Sequence, residues 1–411
     1  MRKYMPINRI INTYNFPTRA IRNLGTFNTN YMDEEAKEVF FHYAGVNAVD
    51  IHAYPELTLI KKYCADFLLD LMHARLNNDF RYFTTSGSSE SVLLSILLLQ
   101  KKYQSAHPHH DGRLNIIIGT NSHIAWFKAA RYLGLDLRIA RIDDQSFIID
   151  NVHIMSLIDE NTIGICCTLG APTTLLCDDI LSLNNLLNGY FQNTGQYIPI
   201  HVDAASGGFV MPFRYPDVQC DFSLPHVFSI NISSHKYGLV YPGFGWLLTR
   251  YTQCLDELID ESDYLGASIK RFSIQFSHSA SHLMTQYYYI QKYGKIGYAQ
   301  IINNLYDYAE YLKNRLIKTQ KNIKFIDSTG LGLPGLIFSI KNIDMAELSR
   351  KLKEKNWYLP VYSLPNSGNM PQVARVVIRY GYDLELIDTL VSDIALIIKS
   401  IQLKTKFTIL A

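Results

Sequence analysis

The chain has 411 residues, 48% of them hydrophobic, enough to bury a large core, and it suits one sizeable α/β unit with a smaller companion. Its 39 basic and 37 acidic residues are mixed along the sequence, and the net charge of +2 leaves no basic face for nucleic acid. The six cysteines form neither a CxxC pair nor a His/Cys ligand spacing, and the longest apolar runs are too short for a bilayer. These features predict a cytoplasmic protein with a small-molecule substrate, no metal, and no membrane or nucleic-acid partner.

Residues 1–22 read as an N-terminal arm. Arg2, Lys3, Arg9, Arg19 and Arg22 precede the first acid at Asp33, a charge pattern shared with organelle transit peptides; serine is absent there, and Pro6 and Pro17 interrupt any helix. A surface arm is the expectation.

From Phe80 to Ser86, Leu114 to Gly119, Gly164 to Gly170 and Ile198 to Ala205, short β-rich runs alternate with helical patterns at 89–103, 123–133 and 178–189. That alternation predicts a mainly parallel sheet covered by helices on both faces. His226 to Ser233 and Phe244 to Thr249 continue the sheet, and 281–315 reads as a long helix. A large domain is expected over 23–305. Runs at Leu333 to Lys341, 357–364 and 374–380, with helices at 345–355 and 385–401, predict a smaller α+β domain over 306–411.

Four motifs carry chemistry. In Ser233-Ser234-His235-Lys236-Tyr237-Gly238, a lysine follows a strand among hydroxyls and a histidine, a setting in which its amine can form a Schiff base with a phosphorylated cofactor. A solvated loop lysine would look the same in isolation. In His201-Val202-Asp203-Ala204-Ala205-Ser206-Gly207-Gly208-Phe209, a lone carboxylate ends another buried strand; facing a pyridine nitrogen it would keep that ring protonated, although a turn or capping aspartate also fits. Thr84-Thr85-Ser86-Gly87-Ser88-Ser89-Glu90 gathers hydroxyls and N–H groups where a helix starts, either a phosphate site or a capping box. His123 opens the next helix, where an imidazole could lie against a cofactor ring or simply be structural.

In this order, the motifs resemble the group II pyridoxal-phosphate decarboxylases, most closely the bacterial glutamate decarboxylases, from about Asn23 to Ile397. The resemblance implies the fold type I (PLP-dependent transferase-like) architecture, pyridoxal 5'-phosphate as cofactor, and a homodimer whose active site is shared across the interface. By that likeness Lys236 is the Schiff-base lysine, and Asp203 partners the ring nitrogen next to Ala205. His235, Ser88 and Ser89 lie at the phosphate, His123 stacks on the ring, and Phe276-Ser277 reaches the other subunit's phosphate. Thr26 and Phe27, with Asn47 and Asp50, fall where those enzymes meet the distal carboxylate, which requires a protonated Asp50; loop ordering is the plain alternative for Asn47 and Asp50. Arg375 matches the arginine that meets the α-carboxylate; Arg379, read as a structural ion-pair residue, is its competitor, and the six-residue distance to Gly381 favours Arg375. Tyr264, in Asp263-Tyr264-Leu265-Gly266, matches a tyrosine on a closing loop that helps return a proton to Cα, with the Lys236/His235 pair as the alternative catalytic donor.

Pro172 stands where those enzymes have a threonine beside the cofactor, so Thr173 is expected to substitute. The sequence begins later than theirs and lacks their histidine-bearing tail, so their acid-triggered hexamer is not expected. The implied activity converts L-glutamate to 4-aminobutyrate and carbon dioxide. Decarboxylation of aspartate, cysteine sulfinate or an aromatic amino acid is the alternative, as is a catalytically silent homologue with a binding or regulatory role.

Overall fold

The computed structural model describes residues 20–74, 79–262, 269–326, 331–364 and 372–410. Contacts divide the chain into two units: Met32–Asn303 with Ser328–Leu333, and a smaller one from Met1–Tyr31, Asn304–Asp327 and Pro334–Ala411.

The larger unit is built on seven strands: β1 (Phe80–Thr85), β2 (Asn115–Gly119), β3 (Asp136–Ala140), β4 (Thr162–Thr168), β5 (Ile200–Asp203), β6 (Val227–Ile232) and β7 (Gly245–Arg250). Their order in the sheet is β1-β7-β6-β5-β4-β2-β3. Only β7 runs against the rest, pairing antiparallel with both β1 and β6. Every residue of β2, β4, β5 and β6 is buried, as expected of strands covered on both faces. The helix Ser88–Ala106 contributes Val92, Leu94, Ile96, Leu98 and Leu99 to the core, where they join Ile116, Ile118, Trp126 and Phe228. The alternation anticipated from sequence is present; β3 and the helices Glu34–His42, Glu56–Leu71 and Asn151–Ser156 are additional.

The strands β1, β2, β4, β5 and β6 all end at one edge of this sheet, because β7 is the only reversed member. Loops leaving that edge are where open α/β sheets bind ligands. Each of the motifs around Ser88, His123, Thr173, Asp203 and Lys236 follows one of those strand ends. A short hairpin, β8 (Asp260–Ser262) with β9 (Ile269–Arg271), lies further on. The helix Ser281–Thr319 bends at Gly294, whose backbone leaves the helical region.

The smaller unit holds a four-stranded antiparallel sheet of β10 (Ile323–Phe325), β11 (Gly335–Ile340), β12 (Val361–Tyr362) and β13 (Val373–Val377), in the order β10-β11-β13-β12. Residues through Tyr31 belong here rather than to the larger unit, where the sequence boundary at 22/23 had put Asn23 onward. The reason is backbone pairing: Leu24 N–H donates to the Tyr358 carbonyl at 3.0 Å, and Val377 N–H donates to the Leu24 carbonyl at 2.7 Å. Among the described residues no helix is long and apolar enough to cross a membrane.

Candidate active site

Lys236 sits just beyond β6, and its Nζ donates to Ser206 Oγ at 3.0 Å, which ties the lysine loop to the loop after β5. The turn after β1 approaches the same loop closely. Gly87 has φ 138°, and a Cβ there would come 2.8 Å from His235 Cε1, so only glycine fits without displacement. The turn starts the helix Ser88–Ala106, whose first N–H groups lack intrahelical partners. There Ser88 Oγ and Ser233 Oγ share a hydrogen bond of 2.6 Å, while Ser89 is exposed. Hydroxyls from two loops on a helix N-terminus, with a glycine cradle, suit a phosphate.

His235 lies in this cradle with Nδ1 2.8 Å from the Phe244 carbonyl, so Nδ1 carries the proton and Nε2 is left as an acceptor. Burial, then the Lys236 charge, pushes the imidazole down to about 4, so it is neutral near pH 7. Glu90 is a residue whose role the sequence did not disclose beyond capping. Its Oε2 accepts from Ser86 N at 2.7 Å and Ser86 Oγ at 2.8 Å. Its Oε1 accepts from Ile274 N at 2.8 Å and Gln275 N at 3.2 Å. One carboxylate thus fastens the turn after β1 to the segment leading into half-buried Phe276 and exposed Ser277.

Asp203, 4% exposed, ends β5 with its carboxylate fully engaged on one side. Oδ1 accepts from Asn231 Nδ2 at 2.9 Å and Ala205 N at 3.2 Å, and Oδ2 accepts from Trp126 Nε1 at 3.0 Å. Burial alone would raise this carboxyl, but the Trp126 and Asn231 hydrogen bonds, with the charge of Lys236, hold it below its ordinary value. It is an anion, not merely a turn residue. Behind it, His201 Nε2 lies 2.6 Å from Asn231 Oδ1, and His201 Nδ1 lies 2.7 Å from Ser229 Oγ.

His123 is the N-cap of the helix Ile124–Tyr132, its Nδ1 accepting from Ala125 N at 3.2 Å. Neutral, it carries its proton on Nε2. Thr173 is half-buried in the turn after β4, where Leu175 adopts φ 66° and donates its N–H to the Ala171 carbonyl at 2.8 Å. Asn47 and Asp50 order the loop that carries them. Asn47 Oδ1 accepts from Val49 N at 3.3 Å and His278 N at 3.4 Å, and Asp50 Oδ1 accepts from Ala53 N at 3.0 Å.

In the smaller unit the structure separates the two candidate arginines. Arg379, 3% exposed, gives Nη1 to the carbonyls of Asn23 at 2.7 Å and Thr26 at 2.6 Å, and Nη2 to those of Ala20 and Ile21 at 3.4 Å each. It is a structural clamp on backbone carbonyls, with no ion-pair partner among the described residues. Arg375 Nη2 donates to Gly25 O at 2.7 Å, and its guanidinium lies 4.9 Å from the Phe27 ring and 5.8 Å from the Tyr362 ring. Thr26 Oγ1 accepts from Asn28 N at 3.2 Å. Arg375, Phe27 and Thr26 are therefore gathered on one short stretch of the unit. Tyr264 lies outside the described residues.

Residues 29–341 match the family model for the pyridoxal-dependent decarboxylase conserved domain. The chain is 35% identical over 390 residues to glutamate decarboxylase 5 of Arabidopsis thaliana, covering 92% of this chain and 78% of that protein. It is 34% identical over 385 residues to glutamate decarboxylase beta of Listeria monocytogenes, covering 91% and 82%. The solved glutamate decarboxylase of Lactobacillus brevis superposes with a TM-score of 0.89 at 31% identity, covering 97% of this chain and 93% of that one. The family match runs through every strand-end loop described above, and with Lys236, Asp203 and the Ser88 helix start in place the chain belongs to the pyridoxal-dependent decarboxylases, carboxy-lyases that use pyridoxal phosphate.

Proposed function

We propose that this decarboxylase converts L-glutamate to 4-aminobutyrate and carbon dioxide. The observation that carries the reaction class is Lys236 and the Asp203 anion at the ends of neighbouring strands, beside the Ser88–Ser233 hydroxyl pair on a helix N-terminus. The choice of glutamate is supported by relatives of that name spanning about nine-tenths of the chain.

When bound, pyridoxal phosphate supplies a carbonyl carbon that takes up an amine and a ring that accepts the electron pair released at Cα. Lys236 would hold the carbonyl carbon and Asp203 the ring nitrogen, with Ala205 and Thr173 alongside and His123 at the ring face. Ser88, Ser89, Ser233 and the helix N–H groups would hold the phosphate, with His235 as a neutral neighbour. Phe276 and Ser277 of a second copy complete that phosphate site in this reading, so the smallest active form is a homodimer.

By the likeness to glutamate decarboxylases, Arg375 would receive the α-carboxylate, and Thr26, Phe27, Asn47 and Asp50 the distal one. The bond from Cα to its carboxylate breaks, carbon dioxide leaves, and one proton is added at Cα. The proton donor in this reading is Tyr264 or the Lys236/His235 pair. The six buried free thiols support a reducing, cytoplasmic setting.

The test is to incubate the cofactor-loaded protein separately with L-glutamate, L-aspartate, L-cysteine sulfinate and L-tyrosine, and to measure carbon dioxide and amine products. Glutamate is expected to give the highest kcat/KM. A faster aromatic or shorter acidic substrate overturns the glutamate reading, and gas from none of them marks a silent homologue.

A further inference from the structure

The hydrogen bonds behind Asp203 form a chain with a fixed direction. A carboxylate can only accept, so the Asn231 amide must turn its NH2 toward Asp203 Oδ1, at 2.9 Å, and its Oδ1 toward His201. His201 Nε2, 2.6 Å from that oxygen, must then carry a proton. With burial holding the imidazole neutral at about 4, Nδ1 has a lone pair and accepts from the Ser229 hydroxyl at 2.7 Å. Ser229 O–H, His201 Nε2–H and Asn231 N–H thus all donate in the direction of Asp203. The strand register explains their alignment. On parallel β5 and β6, His201 is opposite Ser229 and Asp203 is opposite Asn231, so the four alternate residues share one face.

From the helix Ile124–Tyr132, Trp126 brings a second donor to the other carboxylate oxygen at 3.0 Å. Trp126, His201, Ser229 and Asn231 are all 0% exposed. A carboxylate offers about four acceptor positions. Asn231 and Ala205 take the two on Oδ1 and Trp126 takes one on Oδ2, so among the described residues one position, on Oδ2, is left over.

We infer that Trp126 and the Ser229–His201–Asn231 chain are positioning residues of the decarboxylation. They hold Asp203 as a weakly basic, oriented anion with a single acceptor position left on Oδ2, and thereby keep the proton on the cofactor's ring nitrogen rather than on the aspartate. This rests on the reading of Asp203 as the ring-nitrogen partner. Donors to a carboxylate lower its basicity, so removing one shifts a shared proton toward the aspartate and weakens the ring as an electron sink. A relay that only satisfied buried polar atoms would affect stability and leave the ring's charge untouched.

The experiment uses holoenzyme loaded with ring-15N pyridoxal phosphate and reads the ring 15N chemical shift, the cofactor Kd and kcat. Wild type is expected to show a pyridinium-like shift. Trp126→Phe and Asn231→Leu should each move it toward neutral pyridine and lower kcat about tenfold with little change in KM, the loss of one charge-assisted hydrogen bond. Unchanged 15N shifts in both folded, cofactor-saturated variants overturn the proposal. Asp203→Asn separates the two levels. If it too leaves the shift unchanged, the ring-nitrogen reading itself fails; if it alone moves the shift, only the relay fails. Should the variants not fold, 15N-histidine spectra of the wild-type holoenzyme decide, with His201→Gln assigning the signal. The Nε2–H tautomer at His201 is required, and the Nδ1–H tautomer overturns the relay.

Discussion

Replacing Arg379 with methionine removes a buried guanidinium while keeping much of its volume. Two of its hydrogen bonds are short, at 2.7 Å to Asn23 O and 2.6 Å to Thr26 O, and charge-assisted bonds of this kind contribute about 1.5–3 kcal/mol each. The contacts to Ala20 and Ile21, both 3.4 Å, add little. Backbone pairs from Leu24 to Tyr358 and from Val377 to Leu24 survive the substitution and limit how far the segment moves. A destabilisation of about 3–4 kcal/mol is the expected result, toward the upper end of single-residue effects. Arg379→Lys keeps the charge but not the fork, and should recover only part of it. The assay is urea unfolding read from the fluorotryptophan NMR signal of Trp357, which is fully buried in the smaller unit and donates to Asp393 at 2.9 Å. Arg375→Met, which breaks the 2.7 Å bond to Gly25, should cost about 1.5–3 kcal/mol while abolishing turnover. An Arg379→Met protein as stable as wild type would refute the carbonyl-clamp argument.

Lys236→Ala should lose both turnover and the pyridoxal phosphate that borohydride otherwise traps on the peptide containing residue 236; a trapped adduct at that peptide's neighbour would reassign the lysine. Gly87→Ala, with φ 138° and a Cβ 2.8 Å from His235, should weaken cofactor binding about tenfold, measured by fluorescence titration, and lower stability by about 2 kcal/mol. Asn47→Ala and Asp50→Ala should each reduce kcat/KM for glutamate by about 2–3 kcal/mol if they meet the distal carboxylate; an equal loss for every substrate together with a lower Tm assigns them to loop ordering. His201 is depressed from 6.5 to about 4 by burial, so the unfolded chain binds its proton first. That contribution is complete above pH 6.5 and is lost as pH falls toward 4, about 3 kcal/mol in all. His201→Gln should flatten this part of the acid limb in denaturant titrations, and an unaltered limb contradicts a buried neutral imidazole.

Strand ends were readable because their signals are local. The β-rich run ending at Ser86 was followed by a helical pattern, and the observed strand stops at Thr85 with the helix starting at Ser88. The strand Asp136–Ala140 was not readable: at the sheet edge its pattern Asp-Leu-Arg-Ile-Ala is mostly exposed or half-buried and carries no apolar run. Within the site, Lys236 and Asp203 announced themselves as lone charges after buried strands. Trp126, Asn231 and Ser229 did not, because their hydrogen-bond partners lie 77, 28 and 28 positions away. A local clue existed: Ser229 and Asn231 alternate within an otherwise apolar strand, and polar side chains on a strand buried on both faces require partners. Spacing to Gly381 favours Arg375 over Arg379, but it could not show how many carbonyls of the segment 20–26 each guanidinium engages, among the described residues one for Arg375 and four for Arg379.

The smaller unit joins the two extremes of the chain, with Thr26 and Arg379 separated by 353 positions. During synthesis at about 5–20 residues per second, the segment around Leu24 waits roughly 20–70 seconds before β13 leaves the ribosome. Leu24, 0% exposed in the finished protein, has no backbone partner from Tyr358 or Val377 during that interval. The seven-stranded sheet of the larger unit, whose strands lie between Phe80 and Arg250, is complete in the nascent chain well before then. Vectorial folding therefore leaves an unpaired apolar leading segment for chaperones or early degradation to compete over. Ribosome-bound chains stalled before residue 357 should remain protease-sensitive at 20–31, and chains released after residue 379 should not.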